Sequence, residues 1–159
     1  MAENPLNARS PAGALSVIPY WACRYVGIPF RADGADFSGC NCWGLVRLVL
    51  EHEAGIVVPR YPDLNGDDLR GAAEAFLAGA QGEDQFLPVI GPPATFDVAL
   101  MYALDAKARR LPSHCGIMLD RRHLLHVARA HDAVVVPIDD LRGKIVGFFR
   151  HRDLICRSR

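Results

Sequence analysis

Between residues 96 and 150 the chain carries a series of short apolar runs, FDVALMYAL, HCGIML, HLLHVAR, AVVVPI and KIVGFFR, separated by turn-forming or charged residues. Short runs repeated at this spacing are strand signals, and they predict an antiparallel meander across the second half of the chain. The first half follows another period. Ile18, Trp21, Ala22 and Tyr25 recur at spacings of 3 and 4 behind Ser16, which predicts a capped helix ended by Gly27. A Gly, Asp and Ser loop over 31–41 leads to CWGLVRLVLEHEAG (42–55), a helix ended by Gly55, and DDLRGAAEAFLAGAQG (67–82) reads as a third helix capped by Asp67. Helices first and strands afterwards make the fold class α+β, with N-terminal helices packed on an antiparallel β-sheet.

A chain of 159 residues makes one domain, and at this size roughly 70% of the unfolded surface can be buried without a disulfide scaffold or a structural metal. The domain is expected over 15–151, between an N-terminal arm (1–14) and a C-terminal tail (152–159). The 18 Lys and Arg balance 18 Asp and Glu, which argues against binding nucleic acid through broad phosphate neutralisation. No apolar run approaches the ~20 residues of a membrane span. The N-terminal stretch has no cleavable apolar core, so a cytoplasmic origin without a signal peptide is expected.

The 5 cysteines leave at least one thiol free under any intramolecular pairing. Cys42 opens the second helix, where first-turn amides lack intrahelical partners; they lower a thiol pKa and can receive an oxyanion. A base must come from elsewhere. If Asp120, Arg121 and Arg122 form a hairpin loop, Leu119 pairs with His123, Gly116 with His126 and His114 with Ala128. His114 and His126 then become diagonal neighbours on one face, about 7–8 Å apart along the backbone, with open volume over Gly116. The reading is Cys42 as nucleophile, His114 as base and His126 as the group that fixes the tautomer of His114.

The succession of NCWGLVRLV, SHCGIML and LLHVAR resembles the NlpC/P60 papain-like cell-wall peptidases. With VPRYPD after the helix and IVGFFR near the end, it is most similar to the branch found in phage tails and gene transfer agents. The resemblance spans about residues 15–150. It implies a cysteine endopeptidase that cuts peptidoglycan stem peptides, with no cofactor and no metal, and it assigns the family's nucleophile, base and orienting roles to Cys42, His114 and His126. It also implies partners among phage-like tail or baseplate proteins, and action at a recipient cell wall. Trp43, Gly116 and Phe30 are the residues expected to meet substrate. Phe30 in GIPF stands where many members carry Tyr, and Asn41 where Asp is commoner.

Competing readings attach to the same residues. Cys40 and Cys42 form a strained disulfide in one of them, which would switch off the nucleophile. A zinc site from Cys40, Cys42, His114 and Cys115 is opposed by strand alternation, which sends His114 and Cys115 to opposite faces. DLNGDDLRGAAE (63–74) carries acidic residues at calcium-loop positions but has Asp68 where the loop needs Gly, so it reads as a turn and helix cap. Asp97 is expected to make a turn hydrogen bond. A catalytically silent tail component and a thiol acyltransferase are the alternatives in function.

Overall fold

Ile18 precedes Pro19, and the steric conflict of a pre-proline residue with helical backbone stops a helix from starting at Ser16. In the computed structural model of the chain, which describes residues 17–60, 74, 78, 86–104 and 107–157, the expected first helix is accordingly a 3-10 turn over Tyr20–Arg24. It is followed by Gly27 at φ 86°. Tyr25 is fully buried and its hydroxyl donates to Glu53 at 2.6 Å, fastening the turn to the main helix.

That helix, α1 (Cys42–Ala54), begins and ends where the sequence places it. Asn41 accepts the Gly44 N–H at 2.7 Å, and Gly55 closes the last turn in the left-handed region at φ 64°. The loop ahead of α1 contains a two-stranded ribbon, β1 (Ala35–Asp36) and β2 (Gly39–Cys40). Gly44 is required where this loop meets α1, because a Cβ there would lie 2.3 Å from the Gly34 carbonyl oxygen. Most of the helix expected over 67–82, and most of the segment weighed as a calcium loop, lie outside the described residues. Glu74 and Ala78 are helical.

The remaining strands are β3 (Phe86–Pro88), β4 (Val98–Leu104), β5 (Arg110–Met118), β6 (His123–Ala128), β7 (His131–Pro137) and β8 (Ile145–His151). They form one sheet in the order β3-β8-β4-β5-β6-β7, antiparallel throughout. The expected meander holds from β4 to β7 only. A 3-10 turn at Ile138–Leu141 then sends the chain back, and β8 pairs with the free side of β4. A partly buried ion pair anchors that return: Arg150 on β8 donates to both carboxylate oxygens of the buried Asp97 at 2.7 and 2.8 Å. Asp97 also accepts the Ala94 N–H, so its role exceeds the expected turn hydrogen bond.

Strand alternation sorts the sheet into two cores. Cys115, Ile117, Leu119, Leu125 and Val127 pack with Leu45, Val46, Val49 and Leu50 of α1. Met118, Leu124, Ala99 and Met101 face the other way, towards Leu141. Residues 152–157 pack on this body: α2 (Arg152–Cys156) follows its N-cap His151, Leu154 packs on the α1 side, and Arg157 donates to the Ala54 carbonyl.

Candidate active site

Cys42 is half-buried at the first position of α1. Both ends of the Asn41 side chain set its place. Oδ1 caps Gly44, while Nδ2 donates to the Ala32 carbonyl at 2.8 Å and holds the preceding loop against the helix start. An aspartate would supply the cap but not the donor, which accounts for Asn at this position.

The histidines arrive on the β5–β6 hairpin in the expected register. Ile117 pairs with Leu125 and Met118 with Leu124, and the Leu119 N–H donates to the His123 carbonyl at 2.9 Å. Asp120 fastens the loop by accepting the N–H groups of Arg122 and His123. Gly116 therefore sits against His126, but not as open volume. A Cβ on Gly116 would lie 2.8 Å from the Leu125 carbonyl oxygen and 3.0 Å from the His126 Cβ, so the glycine lets β6 close on β5 and has no room for substrate. His114 Nε2 and His126 Nδ1 are 2.9 Å apart, with ring centroids separated by 5.2 Å in an edge-to-face arrangement.

Electrostatics fix the direction of that bond. Burial, with the charges of His114, His131 and Lys144 adding to it, pushes the pKa of His126 down to about 4, so this ring is neutral near pH 7. When His114 is protonated, its Nε2–H donates and His126 Nδ1 accepts, which places the His126 proton on Nε2. With Nε2 so engaged, Nδ1 is the nitrogen of His114 free to serve the sulfur.

The Cys42 thiol is held well below its ordinary range. The hydrogen bond from the Cys115 side chain contributes most; burial opposes it, and the hydrogen bond and charge of His114 and the Cys115 backbone N–H add to the lowering. Cys115 was not foreseen at this site. Alternation does send its side chain to the α1 face and His114 to the other, as expected, yet both contribute to the lowered pKa of Cys42. The ladder between β5 and β6 runs only through Ile117 and Leu125, and β4 shifts register against β5 between Met101 and Ala103. Strand alternation alone therefore did not exclude a shared contact.

Other expectations resolve differently. Trp43 is 6% exposed; its indole N–H donates to the Pro59 carbonyl at 3.2 Å and its ring meets Phe86 edge to face, so it packs in the core and walls no groove. Phe30 is half-buried, bridges to Cys40, and lies under the Arg129 guanidinium at 5.6 Å from the ring centroid. Cys40 is a free thiol, fully buried, with its pKa pushed up to about 12 by burial. Among the described residues no group of three or more His, Cys, Asp or Glu could hold a metal ion, and no helix is long and apolar enough to cross a membrane. His131 adds a third ring, edge to face with His126 at 5.0 Å. A cleft of about 640 Å³ opens beside the rings, with His114, His126, Tyr102, Arg110, His131 and Lys144 among its walls.

No protein-family model matches the sequence, and no curated protein matches it either. Among solved structures, the NlpC/p60 domain of the peptidoglycan hydrolase SagA aligns at TM-score 0.49 and 17% identity, covering 81% of this chain and 91% of that one. A lipoprotein-like protein of the NLP/P60 family from Staphylococcus aureus aligns at TM-score 0.54 and 19% identity over 81% of this chain, which spans 38% of that protein's length. The α+β fold expected from the sequence is the one observed, and it is the fold of that NLP/P60 protein.

Proposed function

We propose that the chain is a cysteine peptidase of the NlpC/P60 family that hydrolyses peptide bonds in peptidoglycan. One observation carries the reading: Cys42 at the N-terminus of α1, its thiol pKa lowered in part by His114, whose Nε2 lies 2.9 Å from His126 Nδ1. The fold likeness to an NLP/P60 protein supports the substrate class, and the peptidoglycan hydrolase named among the aligned structures is of that class.

The Cys42 thiolate attacks the scissile carbonyl carbon, and the negative charge moves to the carbonyl oxygen. Asn41 already occupies the Gly44 N–H, so the Cys42 amide at the first helical position is the helix donor assigned to that oxyanion. His114 passes its proton to the leaving amine as the C–N bond breaks, leaving an acyl thioester. It then takes a proton from water, the resulting hydroxide displaces the sulfur, and the thiolate returns with a free carboxylate product. His126 keeps the His114 ring aimed throughout.

Delivery by a phage-like tail or baseplate, with action at a recipient wall, is part of the same proposal and rests on the sequence resemblance. Purified chain incubated with peptidoglycan sacculi is expected to release muropeptides with new amino termini, and Cys42→Ala to release none. Equal release by both proteins would refute the peptidase. No release by either, with tight binding to tail proteins, would favour the silent structural part. Accumulation of an acyl-transfer product in place of free carboxylate would identify a transferase.

A further inference from the structure

The cleft beside the rings is lined by one sign of charge. Its walls carry Arg110, His114, His126, His131, Arg142 and Lys144, and no carboxylate is among the described residues that line it. The whole chain balances 18 basic against 18 acidic side chains, so this concentration is a local arrangement. Met101 and Leu141, both buried, add an apolar wall.

Two of the cations are held in place there. The Arg110 guanidinium lies 4.5 Å from the Tyr102 ring centroid and donates to the Gly143 carbonyl, which draws it from β5 towards the turn ahead of β8. A guanidinium has five N–H donors, so others remain for a ligand. Lys144 is anchored through its backbone: its N–H donates to the Leu141 carbonyl at 2.9 Å, and its carbonyl accepts the Tyr102 N–H at 2.8 Å. Its side chain is exposed and has no ion-pair partner among the described residues. Arg142 is paired with Asp139 at 2.9 Å and contributes less.

We propose that this cleft is a carboxylate-binding subsite that receives an acidic segment of the peptide substrate, with Arg110 and Lys144 as the groups that recognise it. That the ligand is substrate rests on the peptidase reading; that it is anionic rests on the cleft alone. Its volume of about 640 Å³ falls within the roughly 300–1,000 Å³ of ligand sites. Two accessible cations match one or two carboxylates and are too few for a polyanion such as nucleic acid, whose binding scales with the number of phosphates neutralised. His114 lines the cleft and also helps to lower the pKa of Cys42, so a peptide seated among the cations runs past that ring towards the sulfur.

The test is calorimetric titration of the full chain carrying Cys42→Ala, which removes turnover, with triglutamate blocked at both ends; blocked triglutamine is the neutral control. An exposed ion pair is worth up to about fivefold in affinity, so with two of them triglutamate is expected to bind about tenfold more tightly in low salt. The gap should close as salt is raised. Lys144→Glu is expected to abolish the preference. Arg121→Gln, which removes an exposed charge from the β5–β6 loop outside the cleft, is expected to keep it. In the native chain, triglutamate should slow alkylation of Cys42 by iodoacetamide severalfold. That rate is followed across pH by peptide mass spectrometry, with exposed Cys23 and Cys156 as internal references. Succinate, a free carboxylate, is expected to shield Cys42 far less at equal concentration.

Equal affinity for the two peptides, or an unchanged preference in folded Lys144→Glu, would overturn the subsite. If Lys144→Glu does not fold, Lys144→Gln decides, with a loss of about fivefold expected and no loss overturning. Triglutamate that binds and leaves Cys42 labelling unchanged, or succinate that matches it, would overturn the assignment to substrate. None of these measurements requires a bond to be cut. A chain that releases nothing from sacculi therefore leaves the binding result standing, and failure here leaves the peptidase reading untouched.

Discussion

Replacing His126 with leucine removes the acceptor behind His114 while filling the same apolar space. The ring is 8% exposed, so water has little access to replace the lost bond, and the His114 Nε2–H, 2.9 Å from its partner in the native chain, is left unpaired. A hydrogen bond to a charged group is worth roughly 1.5–3 kcal/mol, which corresponds to about 10- to 150-fold in the population of the thiolate–imidazolium pair. Cys42 alkylation in His126→Leu is expected to fall within that range on its acid limb, and sacculus hydrolysis with it. His126→Asn sets an amide oxygen where Nδ1 stood and is expected to stay within a few-fold of native. Stability supplies a second readout. A folded pKa of about 4 against 6.5 means that, between those values, the unfolded chain binds a proton the folded chain refuses. Stability from this ring is therefore intact above pH 6.5 and declines by about 3 kcal/mol as pH falls to 4. His151, also depressed by burial, contributes equally to both proteins and cancels in the comparison. Native and His126→Asn melts recorded across that window should converge at low pH. Labelling of His126→Leu at the native rate, or parallel stability curves, would refute the assigned role.

Gly116→Ala should separate β5 from β6, because its Cβ would meet the Leu125 carbonyl oxygen at 2.8 Å and the His126 Cβ at 3.0 Å; both the melting temperature and Cys42 labelling are expected to drop. Asp97→Asn leaves Arg150, itself about a third exposed, without its carboxylate and should cost about 1–2 kcal/mol, or roughly 2–8 °C in melting temperature. It should do so with Cys42 labelling unchanged, since the ion pair ties β8 to β4 and touches no ring of the site. Asn41→Asp keeps the helix cap and sets a carboxylate against the Ala32 carbonyl, which is expected to cost about 1–2 kcal/mol in denaturant titration. The added negative charge beside the sulfur should also shift the acid limb of Cys42 labelling upward.

What could be read from the residues alone was whatever a local rule determines. Gly55 marks the end of α1 through backbone chemistry confined to a few residues, and the helix starts at Cys42, where the loop over 31–41 was read to end. The hairpin register followed from a charged three-residue break, and it delivered His114 to His126. Long-range pairing carried no such mark. Asp97 and Arg150 stand 53 residues apart, and nothing near either announces the other, so the return of β8 beside β4 was not legible. The failed first helix had a local signal, Ile18 before Pro19, which the regular spacing of Trp21, Ala22 and Tyr25 outweighed. Trp43 looked like a groove wall because it follows the nucleophile, yet its position on the helix turns it towards Phe86 in the core.

Cys115 was hidden for a more instructive reason. Beside the β5–β6 ladder the Leu119 N–H donates to the His123 carbonyl, and the same parity continues through 117 with 125 to 115 with 127. A hairpin zipped to its end would commit the Cys115 N–H to the Val127 carbonyl. The ladder instead stops at Ile117, and β6 shifts register against β7 between His126 and Ala128, just past the second histidine. The Cys115 amide, outside that ladder, adds to the lowering of the Cys42 pKa together with its neighbour His114. An alternation rule gives the face of each side chain and says nothing of where the backbone N–H behind it is directed. Backbone groups withdrawn from the ladder are costly to leave unpaired in a buried place. For the Cys115 N–H that partner is the Cys42 sulfur, whose pKa the bond helps to lower.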